Sequence, residues 1–261
     1  MISTFFTLER FTKGPRILDV DDAIWLYRDG SFVHRLAGIS DSVICGNSFL
    51  AEHFSRWNSS ITILPTAVDT DRFITLASRP ANENLTIGWS GGYEGGPDLK
   101  VAEAALQIVL NRNPNVRLRV ISDQPPCLNL PPGQMEFVRW TPETEVRAIQ
   151  TLDIGIMPLR DTLWSRGKCA YKMLLYMSCG VPAVVSPVGM CGEVCNLAEV
   201  GISAGTTQDW VEALEELLRD TQLRTAMGAK ARDIIEQKFS IHQLAPKLAA
   251  ELARVAERNR N

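Results

Sequence analysis

The segment NLTIGWSGGYEGGPDLKVAEAALQIVL, residues 84–110, contains the signals of a strand, a glycine-rich turn and a helix in succession. Leu85–Ser90 is predicted as the strand and Gly91–Gly96 as the turn. Pro97 suits the first turn of a helix, where its missing amide hydrogen would have no partner in any case. Apolar residues then recur three and four positions apart, which is helical spacing. A strand, a turn and a helix in this order indicate a parallel α/β sheet.

The rest of the chain alternates short apolar runs with longer amphipathic ones, which favours the same class of fold. Further strands are predicted at residues 16–20 and 42–45 and within SSITILPTAV, VRLRVIS, MEFVRW, LDIGIMPL, PAVVSPVG and EVGISAG. Helices are predicted after a Ser48 cap, after a Thr141 cap, through RGKCAYKMLLYMS, twice in residues 207–239, and after a Ser240 cap.

These elements predict a division of the chain into four parts. Residues 1–72 supply only part of a domain, 73–83 form a linker, 84–240 form a complete doubly wound domain, and 241–261 form a helix that packs back toward the N-terminal part. In a doubly wound domain, ligands bind at the carboxyl ends of the strands.

Bulk composition excludes several classes of protein. The 261 residues carry a net charge of −3, which disfavours a general nucleic-acid binder. No apolar run approaches the roughly 20 residues that span a bilayer. Six cysteines occur without a Cys-x-x-Cys pair, so buried thiols are expected and a structural zinc site is not. The N-terminus does not resemble a signal peptide, and a cytoplasmic location is expected.

The glycine-rich turn is the first candidate site. Glycine lets the backbone approach a ligand closely, and amides at Gly91, Gly92 and Tyr93 would favour an anion such as phosphate. The turn does not match Gly-x-Gly-x-x-Gly, and a flexible turn without a ligand is the alternative.

The same residues match Gly-x-Ser-x-Gly, the nucleophile elbow of serine hydrolases, with Ser90 as nucleophile and His242 downstream. That elbow requires a sharp strand-to-helix turn, whereas this helix is predicted to begin about six residues after Ser90. A hydrolase is therefore the less favoured alternative.

The segment RGKCAYK, residues 166–172, is the second candidate site. If one helix begins there, Lys168 and Lys172 share a face, and Arg166 and Gly167 lie at the entrance, where backbone amides are unpaired. Cations at a helix N-terminus interact unfavourably with the helix dipole. A diphosphate bound there would interact favourably with the amides, the dipole and the lysines. The alternative is that both lysines point to water.

The acids Asp19, Asp21 and Asp22 are the third candidate. Clustered carboxylates can hold Mg²⁺, but this spacing also suits an ordinary strand end followed by a helix cap. We favour the ordinary strand end and helix cap over a metal site. A role of these acids in binding hydroxyl groups of an acceptor stays possible.

Several stretches, in order and at the expected spacing, resemble the group 1 family of GT-B glycosyltransferases. They are VICGNSFLAEHF…ITILPTAVDTDRF, IGWSGG, LDIGIMPLRD and YMSCGVPAVVSPVGMCGEV. The resemblance covers almost the whole chain. It implies an α/β, GT-B-like fold with a complete C-terminal Rossmann-like domain and a partial N-terminal Rossmann-like portion.

The resemblance also implies a function. The family transfers a sugar from a nucleoside-diphosphate sugar with retention of stereochemistry, without a metal and without a cofactor other than this co-substrate. The acceptor expected here is a glycan, a lipid or a small molecule, with peripheral association at the inner face of the membrane left open. Arg166 and Lys168 are the catalytic candidates. The donor-binding candidates are Gly91, Gly92, Tyr93, Gly167, Lys172 and Glu193. The acceptor-side candidates are Asp21, Asp22 and Asn47.

Two departures from the family pattern matter. The common Glu-x7-Glu pair, whose members contact the sugar and the ribose, falls here on Gly167 and Leu175. The part before the linker is also shorter than the roughly 150 residues of a typical domain. Both departures keep a second function open, a nucleotide-sugar-binding protein without transferase activity.

Overall fold

The computed structural model describes residues 9–27, 30–76 and 84–258. Its strands are β1 (Ile17–Val20), β2 (Ser42–Cys45), β3 (Ile61–Ile63), β4 (Leu85–Ser90), β5 (Val116–Ser122), β6 (Met135–Arg139), β7 (Ile154–Met157), β8 (Ala183–Val185) and β9 (Gly201–Ser203). Its α-helices are α1 (Ser31–Ile39), α2 (Ser48–Phe54), α3 (Gly96–Leu99), α4 (Glu103–Arg112), α5 (Pro142–Gln150), α6 (Leu163–Gly167), α7 (Tyr171–Ser178), α8 (Met190–Cys195), α9 (Thr207–Arg219), α10 (Thr221–Ile234) and α11 (Ile241–Arg258). Residues 77–83 of the predicted linker lie outside the described residues.

The chain divides into two compact units. The first unit contains Met1–Ala67, Thr162–Cys169 and Ile241–Asn261, and the second contains Val68–Asp161 and Ala170–Ser240. Relative to the predicted boundaries, the second unit begins earlier and the segment Thr162–Cys169 belongs to the first unit. Each unit contains a parallel sheet, so the predicted α/β class is confirmed.

The second unit contains a six-stranded parallel sheet in the order β6-β5-β4-β7-β8-β9. Its inner strands are buried along nearly their whole length, as expected for a sheet that helices cover on both faces. The strand order reverses at β4, which pairs with β5 on one side and with β7 on the other. In such sheets, ligands bind beyond the carboxyl ends of the strands at this reversal.

The first unit contains the smaller parallel sheet, in the order β1-β2-β3. Its central strand β2 is fully buried, and α11 belongs to the same unit. The Ser42 hydroxyl at the start of β2 donates to the Glu251 carboxylate of α11 at 2.5 Å. Arg254 also donates to that carboxylate and, together with Ser42, lowers the pKa of Glu251 to about 2. This charged cluster ties the last helix to the sheet.

Two sequence predictions about helix ends are wrong. Asn47, not Ser48, caps α2, and its side-chain oxygen accepts a hydrogen bond from the Leu50 amide at 2.9 Å. The segment RGKCAYK is also not the start of one helix, because α6 ends at Gly167 and α7 begins at Tyr171. Ala170 between them adopts a left-handed conformation with φ of 54°, which no continuous right-handed helix contains.

The break in this segment changes the position of its cations. Lys168 is the C-cap of α6, whereas Lys172 lies in the first turn of α7. The two lysines therefore do not share a helical face, and Arg166 and Gly167 lie in the last turn of a helix instead of at its entrance.

A fully buried tyrosine fixes the end of the central strand β4. The Tyr176 ring occupies the space beside Gly155 of β7, where an added Cβ would lie 2.4 Å from a ring carbon. The Tyr176 hydroxyl accepts a hydrogen bond from the Ser90 amide at 2.7 Å. This contact holds the last residue of β4 against α7 in the interior of the second unit.

The variant Tyr176→Phe should destabilise the protein by about 1–3 kcal/mol, because it leaves the buried Ser90 amide without an acceptor. Denaturant unfolding of wild type and variant measures the difference. Tyr93→Phe, at a ring that is 55% exposed, is the matched control and should change the free energy of unfolding by less than about 0.5 kcal/mol. Equal stability of Tyr176→Phe and wild type would contradict the structural role of this hydroxyl.

Two histidines of the first unit face each other within a stack of aromatic rings. The Nε2 atoms of His34 and His53 lie 3.1 Å apart, the His34 ring stacks on Trp57, and the His53 ring stacks on Trp25. Burial, and then the nearby His34 and Arg56, lower the pKa of His53 to about 4. The pair is therefore stable with His53 neutral.

The His53 environment predicts a loss of stability in mild acid. In the unfolded chain a histidine takes up its proton near a pKa of about 6.5, whereas folded His53 stays neutral down to about pH 4. Between these values the unfolded state binds more protons, so the free energy of unfolding falls as the pH falls.

The measurement is the thermal midpoint at several pH values between 7 and 4. The variant His53→Gln should show a shallower decline than wild type, whereas His242→Gln, at an exposed position on α11, should follow wild type. Identical slopes for His53→Gln and wild type would show that this pair does not control the response.

Candidate functional site

A pocket of about 260 Å³ opens at the carboxyl edge of the sheet in the second unit. It is lined by Ser90, Gly91, Gly92, Asp123, Trp140, Glu145, Tyr171, Lys172 and Leu175. The strands explain this grouping, because β4, β5 and β6 are neighbours in the sheet. Gly91, Asp123 and Trp140 are the residues that directly follow these three strands.

The structure brings three of the predicted donor-binding residues together in this pocket, namely Gly91, Gly92 and Lys172. Tyr93 and Glu193 belong to the same unit but are not among the pocket's lining residues. Glu193 lies exposed in the first turn of α8. Arg166, Gly167 and Lys168 belong to the first unit.

The glycine-rich turn uses most of its amides internally. Gly91 donates to the Ile121 carbonyl at 3.0 Å, and the Tyr93 amide donates to the Asp123 carboxylate at 2.7 Å. The Tyr93 amide is the main cause of a lowered pKa at Asp123. Among the described residues, none accepts a hydrogen bond from the Gly92 amide. Gly92 also has open space where a side chain would project, so its backbone is accessible to a ligand.

Sequence reasoning missed the wall of the pocket formed by Trp140, Glu145 and Tyr171. The Trp140 indole donates to Glu145 Oε1 at 2.9 Å, and the Trp140 side chain is 43% exposed. Burial, followed by the Glu145 charge, raises the pKa of Tyr171. The available signal for this edge of the sheet was Asp123 directly after the predicted strand VRLRVIS and Trp140 as the last residue of the predicted strand MEFVRW.

The geometry at Ser90 does not fit a hydrolase. Ser90 is the last residue of β4 and only 5% exposed. The first helical residues after it form a short 3-10 turn at Tyr93–Gly95, and α3 begins at Gly96. The sharp strand-to-helix turn that exposes a nucleophilic serine is therefore absent at this position.

In the first unit, Asn47 holds the segment that contains the two predicted catalytic residues. Its side-chain nitrogen is within hydrogen-bond distance of the carbonyl oxygens of Gly167 (3.0 Å), Lys168 (3.2 Å) and Arg166 (3.4 Å). Because Asn47 is 3% exposed and its oxygen caps α2, its side chain serves to position this segment.

The acids of the first unit lie beside the same segment. The Cys169 thiol donates to the Asp21 carbonyl at 3.1 Å, and burial raises the pKa of that thiol to about 12. An added Cβ at Gly167 would lie 2.7 Å from the Ala23 Cβ. The Asp21 side chain is exposed and the Asp22 side chain is half-buried. The structure therefore groups Asp21 and Asn47 with Arg166, Gly167 and Lys168.

No three side chains of His, Cys, Asp or Glu converge in a geometry that could hold a metal ion within residues 9–27, 30–76 and 84–258. No helix in that part of the chain combines the length and apolar character that a bilayer-spanning helix requires.

The fold is similar to solved glycosyltransferase structures. Sucrose-phosphate synthase from Thermosynechococcus elongatus superposes with a TM-score of 0.74 at 13% identity, over 95% of this chain and 69% of that one. HepE from Anabaena, solved in complex with UDP-glucose, superposes with a TM-score of 0.74 at 15% identity, over 92% of this chain and 72% of HepE. A glycosyltransferase from Rickettsia africae ESF-5 superposes with a TM-score of 0.72 at 11% identity, over 95% of this chain and 72% of that one. The predicted GT-B-like α/β fold is confirmed.

The sequence itself shows which family the chain belongs to. No curated protein matches the sequence of this chain closely. The family model described as glycosyl transferases group 1 matches residues 86–220, just over half of the 261 residues, and includes the whole pocket edge from Ser90 to Leu175. The chain therefore belongs to the group 1 glycosyl transferases and is a glycosyltransferase, as its sequence motifs predicted.

Proposed function

We propose that this glycosyltransferase uses a nucleoside-diphosphate sugar as donor and that the nucleoside diphosphate binds in the pocket of the second unit. The observation that carries the proposal is the pocket at the carboxyl edge of β4, β5 and β6, which combines an accessible glycine backbone, a lysine and an aromatic wall. HepE, a structure of the same fold, was solved with UDP-glucose, which supports this class of donor.

The pocket contains the groups that a diphosphate requires. The Gly92 amide donates no hydrogen bond to the described residues. Lys172 lies in the first turn of α7. A cation at this end of a helix opposes the helix dipole, and an anion bound there interacts favourably with both. Preorganised positive groups of this kind also stabilise the charge that develops on a leaving diphosphate.

The proposed reaction replaces one bond to the anomeric carbon of the sugar with another. An acceptor hydroxyl oxygen bonds to that carbon, and the nucleoside diphosphate leaves with the electrons of the broken bond. The proton of the hydroxyl passes to an oxygen of the leaving diphosphate. We further propose retention of stereochemistry and a metal-independent mechanism, in which protein cations neutralise the leaving group. Arg166 and Lys168 are proposed to contribute to this neutralisation.

The proposed acceptor is a glycan, a lipid or a small molecule, with Asp21 and Asp22 as candidates for contact with its hydroxyl groups. The exposed Asp21 carboxylate supports such a contact. We propose that the enzyme works in the cytoplasm, and a lipid acceptor would place it at the inner membrane surface.

A donor screen tests the function. Purified protein is incubated with UDP-, GDP- and ADP-sugars, with and without pooled glycan and lipid acceptors, and released nucleoside diphosphate is measured beside thermal shift. We expect one nucleotide class to raise the thermal midpoint and to be released faster when acceptor is present. Binding without release in any acceptor pool would favour the donor-binding protein without transferase activity. Absence of binding by every nucleotide sugar would refute the proposed donor class.

The variant Lys172→Ala should weaken binding of the nucleoside diphosphate by about tenfold or more, since a charge-assisted contact contributes about 1.5–3 kcal/mol. Titration calorimetry measures this change. Lys238→Ala, at an exposed lysine of the same unit outside the pocket, is the control and should bind like wild type.

The release assay of the donor screen tests the cations of the first unit separately from Lys172. Arg166→Ala and Lys168→Ala should lower the rate of nucleotide release if they stabilise the leaving diphosphate. Unchanged affinity in Lys172→Ala would show that this lysine does not contact the bound diphosphate.

A further inference from the structure

We propose that Glu145 selects the ribose of the donor nucleotide by accepting hydrogen bonds from the ribose hydroxyl groups, with Trp140 forming the adjoining wall for the nucleoside. This inference rests on the proposed function, because it divides the same pocket into a part for the phosphates and a part for the nucleoside. It assigns a specificity role to a residue outside every sequence motif considered above.

The lining residues separate by chemistry into two sets. Gly92 and Lys172 offer an amide and a positive charge, which suit phosphates. Trp140, Tyr171 and Leu175 offer two aromatic rings and an apolar side chain, which suit a base and the carbon atoms of a sugar. Two carboxylates line the pocket. Asp123 accepts the Tyr93 amide of the glycine-rich turn at 2.7 Å, whereas Glu145 accepts the Trp140 indole and therefore belongs with the second set.

The Glu145 carboxylate is held in place but keeps acceptor capacity. Its side chain is 12% exposed. Oε1 accepts the Trp140 indole hydrogen at 2.9 Å, and Oε2 lies 3.4 Å from the Arg72 guanidinium, near the outer limit of a hydrogen bond. An ionised carboxylate has about four acceptor positions on its two oxygens, so it can accept further hydrogen bonds from a ligand in the pocket.

The Arg72 side chain contributes to the placement of this acid. The same guanidinium nitrogen donates to the Pro142 carbonyl at 2.6 Å, and Pro142 is the first residue of α5, the helix that carries Glu145. The carboxylate is therefore fixed from both sides, by the indole after β6 and by the arginine before β4. A group fixed in this way loses little conformational entropy when a ligand binds.

A ribose is the part of a nucleotide that fits a fixed carboxylate. Its two neighbouring hydroxyl groups are donors, and an acid that accepts from a ribose hydroxyl is the common solution in doubly wound nucleotide-binding domains. A phosphate would be repelled by the same charge, so the carboxylate also favours one orientation of the nucleotide. The position expected from the family pattern to supply a ribose acid is Leu175, which cannot accept a hydrogen bond. Glu145 lines the same pocket as Leu175 and can replace it from a different helix.

A purely structural role for Glu145 is the competing explanation, in which the acid only ties Trp140 and Arg72 to α5. The two explanations differ in how they affect a nucleotide that lacks one hydroxyl. A structural role predicts that a change at Glu145 weakens the binding of ribonucleotides and of deoxyribonucleotides equally. A ribose contact predicts that the change removes the preference between them.

The experiment measures the affinities of wild type, Glu145→Gln and Glu143→Gln for UDP, 2′-deoxy-UDP and 3′-deoxy-UDP by calorimetry. The guanosine or adenosine counterparts are used if the donor screen selects that base. Gln keeps the size of Glu and an acceptor for the Trp140 indole. Glu143 lies on the same helix at an exposed position outside the pocket. Its variant is therefore the matched control.

We expect wild type and Glu143→Gln to prefer the ribonucleotide over at least one deoxynucleotide by about tenfold, the effect of about 1.4 kcal/mol. In Glu145→Gln the preference should fall below threefold, and binding of inorganic diphosphate should not weaken. A preserved preference in folded Glu145→Gln would overturn the inference while leaving the proposed donor class intact.

Wild type alone provides a second test if Glu145→Gln does not fold. A wild-type preference below threefold for both hydroxyl groups would overturn the inference, since no ribose contact would then exist to assign. Failure of every nucleoside diphosphate to bind wild type would overturn the proposed function itself, and this inference with it.

Discussion

The second unit depends on the hydrogen bond between the Ser90 amide and the hydroxyl of the fully buried Tyr176. Ser90 ends the strand at which the sheet order reverses, and Tyr176 lies in the helix whose first turn carries Lys172. A single contact therefore fixes the distance between the glycine-rich turn and the lysine of the pocket. It is possible only because residue 155 is glycine, since any larger side chain would occupy the place of the tyrosine ring. The glycine in LDIGIMPL, Gly155, is thus required for the packing of Tyr176, on which the position of the site depends.

The first unit depends on a comparable constraint at Asn47. One side chain caps α2 with its oxygen and contacts three consecutive carbonyls of the 166–168 segment with its nitrogen. These carbonyls belong to the end of α6, where the last carbonyl groups of a helix have no partner within the helix. The clamp therefore satisfies the helix end and sets the path of the chain at Arg166 and Lys168. These buried contacts give Asn47 a positioning role, and its place on the acceptor side stays a prediction.

The sequence predicts most of the regular elements because they depend on local patterns, although it did not predict the helices α1 and α8. The strands from Leu85 to Ser203 and the long helices after Thr206 lie where short apolar runs and helical spacing predicted them. The break at Ala170 was missed because a left-handed alanine leaves no signature in the sequence. The pocket wall was missed for a different reason. Trp140 and Glu145 join Gly91 and Lys172 only because β6, β5 and β4 are adjacent, and strand order is a long-range property that local patterns do not contain.

The two missing acids of the family pattern have different physical explanations. At position 167 the backbone lies against Ala23, and an added Cβ would be 2.7 Å from the Ala23 Cβ and 2.8 Å from its amide nitrogen. A glutamate cannot occupy that position unless the first unit rearranges, so glycine there is required by packing. At position 175 the side chain faces a pocket. Packing therefore does not require leucine there, and the family's glutamate is replaced by an apolar residue that cannot accept a hydrogen bond. The first loss therefore follows from how the chain folds, whereas the second leaves room for a different helix to supply the acid.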